Sequence, residues 1–220
     1  VPGFVADPYG NALGEPYTVR LTTPGRVPIA SLGLLPPLSQ FMTSFATNVD
    51  LIHVNVSRLD LALYDLGLPL NLLNRPFDVV DYRPAAAPLR SWSLPQTSER
   101  DAVNSLPVPV AGEGGGTLAP GVYLLTVDAP ETNEEVRFWQ NQRNVLVVAE
   151  TNIVVKEMFG AVHVWVTDLR SGQPALGQSL TLYSEQGVSL GTAVSDNNDR
   201  ISRWRSSAIS GRPSSSLYCR

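Results

Sequence analysis

The 220-residue sequence contains one cysteine, Cys219, and it stands next to the C-terminus. That excludes an internal disulfide and a zinc centre built on cysteines. Lysine is as scarce: Lys156 stands alone and the other cations are arginines, which reads as a coding bias before it reads as chemistry. No block of Lys and Arg occurs and the formal net charge is −4, so nothing suggests binding to a phosphate backbone. No apolar run approaches the ~20 residues that a membrane helix needs. The first 17 residues have neither a basic start nor an apolar core, so they do not form a signal peptide. If the parent protein is exported, its address lies outside this chain. What is present suits a packed protein: 43% hydrophobic and 16% charged residues argue against disorder. The length fits one large domain or two all-β modules of about 100 residues each.

Proline (18) and glycine (17) are spread along the whole chain, which forbids long helices and keeps the elements short. Alternation of apolar and polar residues is the main local signal. It runs through residues 17–23 (YTVRLTT), residues 49–66 (VDLIHVNVSRLDLALYDL, with a break near Ser57 and Arg58) and residues 161–169 (AVHVWVTDL). Residues 144–158 (NVLVVAETNIVVKEM) read as two nearly continuous buried strands, and GVYLLTVDAP, SLTLYS and VSLGTAVS complete the set. Strands at this spacing with turn signals between them predict β-sandwiches. Residues 66–80 (LGLPLNLLNRPFDVV) leave room for one or two helical turns, and residues 128–144 are the candidate connection between modules, with Phe138 and Trp139 expected to pack.

The stretch VTDLRSGQPALGQSLTLYSEQGVSLGTAVSDNND, residues 166–199, resembles the macroglobulin-like domains of bacterial α2-macroglobulins. The shared pattern is a strand, a Gly-x-Pro turn, a strand with Leu-Tyr, a Gly turn, then Gly-Thr and an Asp-rich turn. LAPGVYLLTVDAP is similar to the last strand of such a domain, and VNVSRLDLALYDL to an early strand. The likeness covers roughly residues 40–200 and its motifs carry no catalytic residue. DPYGNALGEPYTVRLTT, residues 7–23, resembles the last two strands of a bacterial Ig-like domain. The Arg- and Ser-rich end after Asp199 lacks the alternation that would finish a module, so the chain is expected to be incomplete at both ends.

The resemblance implies an all-β fold of tandem antiparallel β-sandwiches, the last of them incomplete. It implies strands of an Ig-like domain over residues 1–25, a macroglobulin-like sandwich over 26–143 and a partial second one over 144–220. It also implies a non-catalytic structural segment of a protease-trapping protein, outside the cytoplasm. Its partners would be other domains of the parent chain and, through the parent, host or competitor proteases. No nucleic acid and no membrane insertion by this segment are expected. An Ig-like adhesion or cell-surface binding module is the alternative, and a small hydrolase a remote third reading.

No enzyme, catalytic residue, cofactor or metal is expected. The reactive thioester of many α2-macroglobulins needs Cys-x-x-Gln; Gln186 in SEQG has no such cysteine, and Cys219 has only Arg220 after it, so Gln186 is read as a turn residue. His53 and His163 lie on separate strands, and no GxSxG elbow accompanies them, so both are assigned to the surface or an interface. Asp196, Asn197, Asn198 and Asp199 offer oxygen ligands without the EF-hand spacing and are read as a turn. Asn55-Val56-Ser57 matches a glycosylation sequon by chance, and GEGGGTLAPG lacks the Lys-Ser/Thr of a P-loop. Trp92, Trp139, Trp165 and Trp204 are too scattered for a sugar platform and are assigned to packing.

Overall fold

The computed structural model describes residues 2–34, 37–133, 140–158, 161–184, 186–196, 204–205 and 216–219. Phe138, Trp139, Glu185 and residues 197–199 lie outside the described residues.

Two sheets form the first module. One is three-stranded, with β3 (Asn48–Val54) between β1 (Ile29–Leu32) and β6 (Asn104–Pro109), all antiparallel. The other is five-stranded, in the order β2 (Leu38–Met42), β8 (Arg143–Ala149), β7 (Gly121–Asp128), β4 (Arg58–Asp65) and β5 (Arg90–Pro95). Between them lies the main core. Val49 and Leu51 of β3 meet Leu59, Leu61 and Leu63 of β4 and Leu125 and Val127 of β7. Each fully buried Leu contributes about 1.5–3 kcal/mol relative to exposure, so this inner-face alternation is the main stabilising element. The break in the alternation near Ser57 is the crossing from one sheet to the other: β3 belongs to the first and β4 to the second.

β7 reads VYLLTV without alternation because both its faces are covered. Tyr123, Leu125 and Val127 join the inter-sheet core, while Val122 and Leu124 pack with Leu72, Val79 and Val145 on the other side. Leu72 and Val79 come from a single turn of helix, α1 (Leu70–Asn74), and a 3-10 turn, Pro76–Val80, so the expected short helix is present. Pro76 ends α1 by removing the N–H that a further helical turn would use, and starts the 3-10 turn, where that N–H is not needed.

The second module pairs β9 (Thr151–Met158) with β10 (Ala161–Asp168), and β10 with the short β13 (Trp204–Arg205). Its other sheet sets β11 (Ser179–Tyr183) between β12 (Ser189–Val194) and β14 (Ser216–Cys219). Val164, Val166 and Leu180 form its core, with Ile153 and Ala175 against them.

Several expectations are corrected. Residues 17–23 are assigned to no strand: among the described residues 18–23 join no ladder, and the segment is exposed despite its alternation. The Arg/Ser-rich end does supply strands, since Ser216–Cys219 pairs with β11 although it lacks alternation. Among the described residues one pair is not antiparallel: β2 runs parallel to β8, as the chain leaves the first sheet after β1 and joins the edge of the second. Of the two expected buried strands in residues 144–158, β8 is buried, but β9 exposes Val154 and Val155. β8 pairs with β7 and β2, so the hydrogen bonding of the first module runs through Ala149, past residue 143. The connection before β8 is likewise pinned to the first module: Asn141 donates to the carbonyls of Leu32 and Leu34, and Gln140 to that of Pro28.

Candidate functional site

The polar side chains of the first module converge at two places. At one end of the three-stranded sheet, the chain after β3 meets the loop before β6. Asn55 has φ 50° and Asp101 has φ 64°, both in the left-handed region that non-glycine residues seldom occupy. The Asp101 N–H donates to Asn55 Oδ1 at 2.7 Å, and Asn55 Nδ2 donates to Asp101 Oδ1 at 2.8 Å and to the Arg26 carbonyl at 2.8 Å. The Arg26 N–H donates to Asp101 Oδ1 at 2.7 Å. The hydrogen bond from Asn55, then that from Arg26, holds the Asp101 carboxyl below its ordinary pKa. The amide nitrogen of Asn55 is thus engaged within the fold.

The second place is a shallow groove on the outer face of the five-stranded sheet, lined by Asp60, Ser91, Ser93, Thr126 and Asp128. Asp60 accepts from Ser93 Oγ at 2.5 Å and pairs with Arg58 Nε at 2.9 Å; these contacts, Ser93 first, lower its pKa. Asp128 lies directly across the ladder from Asp60 and accepts from Thr132 Oγ1 and the Ala129 N–H. Carboxylates and hydroxyls meet there, and the lining holds neither a histidine to act as base toward a hydroxyl nor a cysteine to act as nucleophile. Among the described residues no group of three or more His, Cys, Asp or Glu could hold a metal ion.

His53 is 3% exposed, which corrects its assignment to the surface. β3 is the central strand of its sheet, so the inward positions Val49, Leu51 and His53 are all covered. Its ladder partners are Ala30 and Asn104, and its Nδ1 is buried without a hydrogen bond. Burial lowers its pKa. His163 lies on β10 opposite Lys156, in a different module. Among the described residues neither histidine has a serine or aspartate as its ladder partner.

Gln186 is exposed in the turn between β11 and β12, which Gly187 closes with φ +78° and an N–H to the Ser184 carbonyl. An added Cβ at Gly187 would lie 3.4 Å from Leu70 Cδ1, so this turn of the second module touches α1 of the first. Sequence reasoning identified the turn and missed the contact, for which the sequence carries no signal. Cys219 pairs through its backbone with Leu180. The glycine-rich loop is fastened to β3: the Thr47 N–H donates to the Gly116 carbonyl and Thr47 Oγ1 accepts from the Leu118 N–H. Trp92 packs against the main core, with the Arg90 guanidinium 4.2 Å from its ring centroid, rather than forming a surface platform. Trp165 is half-buried on β10.

A scan against protein-family models and a search of the curated proteins gave no match. Solved structures do match. The Escherichia coli alpha-2-macroglobulin segment spanning domains NIE-MG1 is 13% identical, with TM-score 0.64 over 88% of this chain and 92% of that one. The segment spanning MG0-NIE-MG1 is 15% identical, with TM-score 0.63 over 93% of this chain and 66% of that one. Salmonella alpha-2-macroglobulin reacted with methylamine is 14% identical, with TM-score 0.61 over 94% of this chain; the chain spans 12% of its length. Over most of its length the chain thus has a fold similar to that of the NIE-MG1 segment of bacterial alpha-2-macroglobulin.

Proposed function

We propose that this chain is a non-catalytic structural segment of a bacterial α2-macroglobulin-like protease-trapping protein, acting outside the cytoplasm. The supporting observation is the correspondence of fold with the NIE-MG1 segment over 88% of the chain. A scaffold of this kind needs modules held close to each other, and the turn at Gly187 lies close to Leu70, within reach of an added Cβ. Its partners are the other domains of the parent chain, and through the parent the proteases it meets. Among the described residues no helix is long and apolar enough to cross a membrane.

The test uses the parent polypeptide. It is mixed with trypsin, and cleavage of a large protein substrate is compared with cleavage of a small chromogenic peptide. A trap blocks the first and spares the second, because a caged protease is closed to large substrates alone. The 220-residue chain by itself leaves both activities unchanged. Undiminished cleavage of the large substrate in the presence of the parent removes the protease-trap reading.

A further inference from the structure

Among the described residues, 3–23 form an arm that joins no sheet of either sandwich. Its far half is a small hairpin. Asp7 Oδ1 accepts the N–H groups of Tyr9 (2.9 Å) and Asn11 (3.0 Å), the Leu13 N–H donates to the Val5 carbonyl (2.9 Å), and the Gly14 N–H to the Gly3 carbonyl (2.9 Å). Its near half has the period-2 pattern of a strand, yet among the described residues 18–23 enter no backbone ladder. Large apolar side chains are left in water: Phe4 is 83% exposed, Tyr9 91%, Leu21 85% and Val19 55%. The root of the arm, by contrast, is fixed, because both the N–H and the carbonyl of Arg26 are held by Asp101 and Asn55.

An isolated two-stranded hairpin is marginal in water, and an extended segment with unpaired N–H and C=O groups is a template for strand addition. We propose that this arm donates residues 18–23 as a strand to the open sheet edge of a further all-β domain of the same polypeptide. Strand addition draws affinity from main-chain hydrogen bonds and selects by alternate side chains. Val19 and Leu21 would enter the acceptor core, and Thr18, Arg20 and Thr22 would face water. The choice of occupant rests on the solved segments. This chain covers 92% of the NIE-MG1 segment but 66% of the MG0-NIE-MG1 segment, so the E. coli protein carries one more domain beside the two that correspond here. The inference does not depend on protease trapping.

Hydrogen exchange read by mass spectrometry on the 220-residue chain and on the whole natural polypeptide tests it. The expected result is near free-chain exchange of amides 18–23 in the 220-residue chain, and exchange slowed on the order of 10²-fold or more in the whole polypeptide. Leu21→Asp should remove that protection and leave the melting temperature of the 220-residue chain unchanged. Equal exchange in both forms overturns the proposal, as does a natural polypeptide that begins at Val1. Protection in the 220-residue chain that grows with its concentration also overturns it, by assigning the acceptor edge to a second copy.

Discussion

Asn55 and Asp101 hold each other in left-handed backbone conformations: each side chain accepts from or donates to the other residue, at 2.7 and 2.8 Å. The pair joins the end of β3 to the loop before β6 and fixes the Arg26 backbone between them. Strained conformations persist where surrounding contacts over-determine them, and here the two strained residues determine each other.

Asn55→Ala should therefore cost about 1–2 kcal/mol, from the lost hydrogen bonds and an alanine forced to positive φ. Asn55→Gly keeps the conformation and loses the hydrogen bonds alone, so it should be less damaging. Urea denaturation of the three proteins measures the order; an equal cost for both variants would show that backbone strain plays no part.

The Asp101 carboxyl has a folded pKa below its unfolded value, so its contribution is present above the unfolded pKa, about 4. It is lost as pH falls through the lower, folded pKa. Asn55→Ala removes the largest cause of the shift. NMR titration of the Asp101 carboxyl should show its pKa rising in the variant.

His53 acts in a higher pH range. Burial lowers its pKa, so the unfolded chain takes up a proton that the folded chain refuses. Stability should be full above pH ~6.5 and fall as pH drops below it. His53→Leu removes the titratable group and should flatten the stability profile of chemical denaturation between pH 7 and 5. A slope equal to that of the natural protein would contradict this account.

Gly187 and Gly177 share positive φ (+78° and +71°), but a Cβ at Gly187 would touch Leu70 Cδ1 while one at Gly177 would meet nothing within 4 Å. Alanine at either position should cost about 1 kcal/mol through its backbone conformation. Valine at 187 should cost more than valine at 177, since its added methyl groups push α1 away. Thermal denaturation of the four variants separates the two effects, and equal losses for the two valines would remove the inter-module contact from the account.

Gly33 donates its N–H to the Asp50 carbonyl at 2.6 Å, and an added Cβ would lie 2.9 Å from that same oxygen. Gly33→Ala should force β1 and β3 apart at the point where the chain leaves one sheet for the other. A loss of roughly 1–3 kcal/mol is expected, the range for overpacking, and denaturant melts measure it.

The strands that alternate and sit in the interior of a sheet were legible in the residues: β3, β4, β10 and β11 place their apolar positions on the covered face. β6 was not read from the residues; it contains Pro107 and Pro109, which lack a backbone donor. An edge strand tolerates them, since one side of its backbone needs no donor, and β6 lies at the edge of its sheet. Residues 18–23 show the converse, a strand pattern that enters no ladder among the described residues.

The sequence by itself determined the all-β class, the inward faces, the turn residues and the single-turn helix before Pro76. These depend on side-chain period and local backbone preference, which neighbouring residues set. Tertiary structure alone decided that β2 pairs in parallel with β8, that His53 is buried, that Asn55 meets Asp101 across 46 residues and that Gly187 reaches Leu70. Each of these joins segments far apart in the chain. Their pairing is fixed by which surfaces bury together, and no local pattern records that choice.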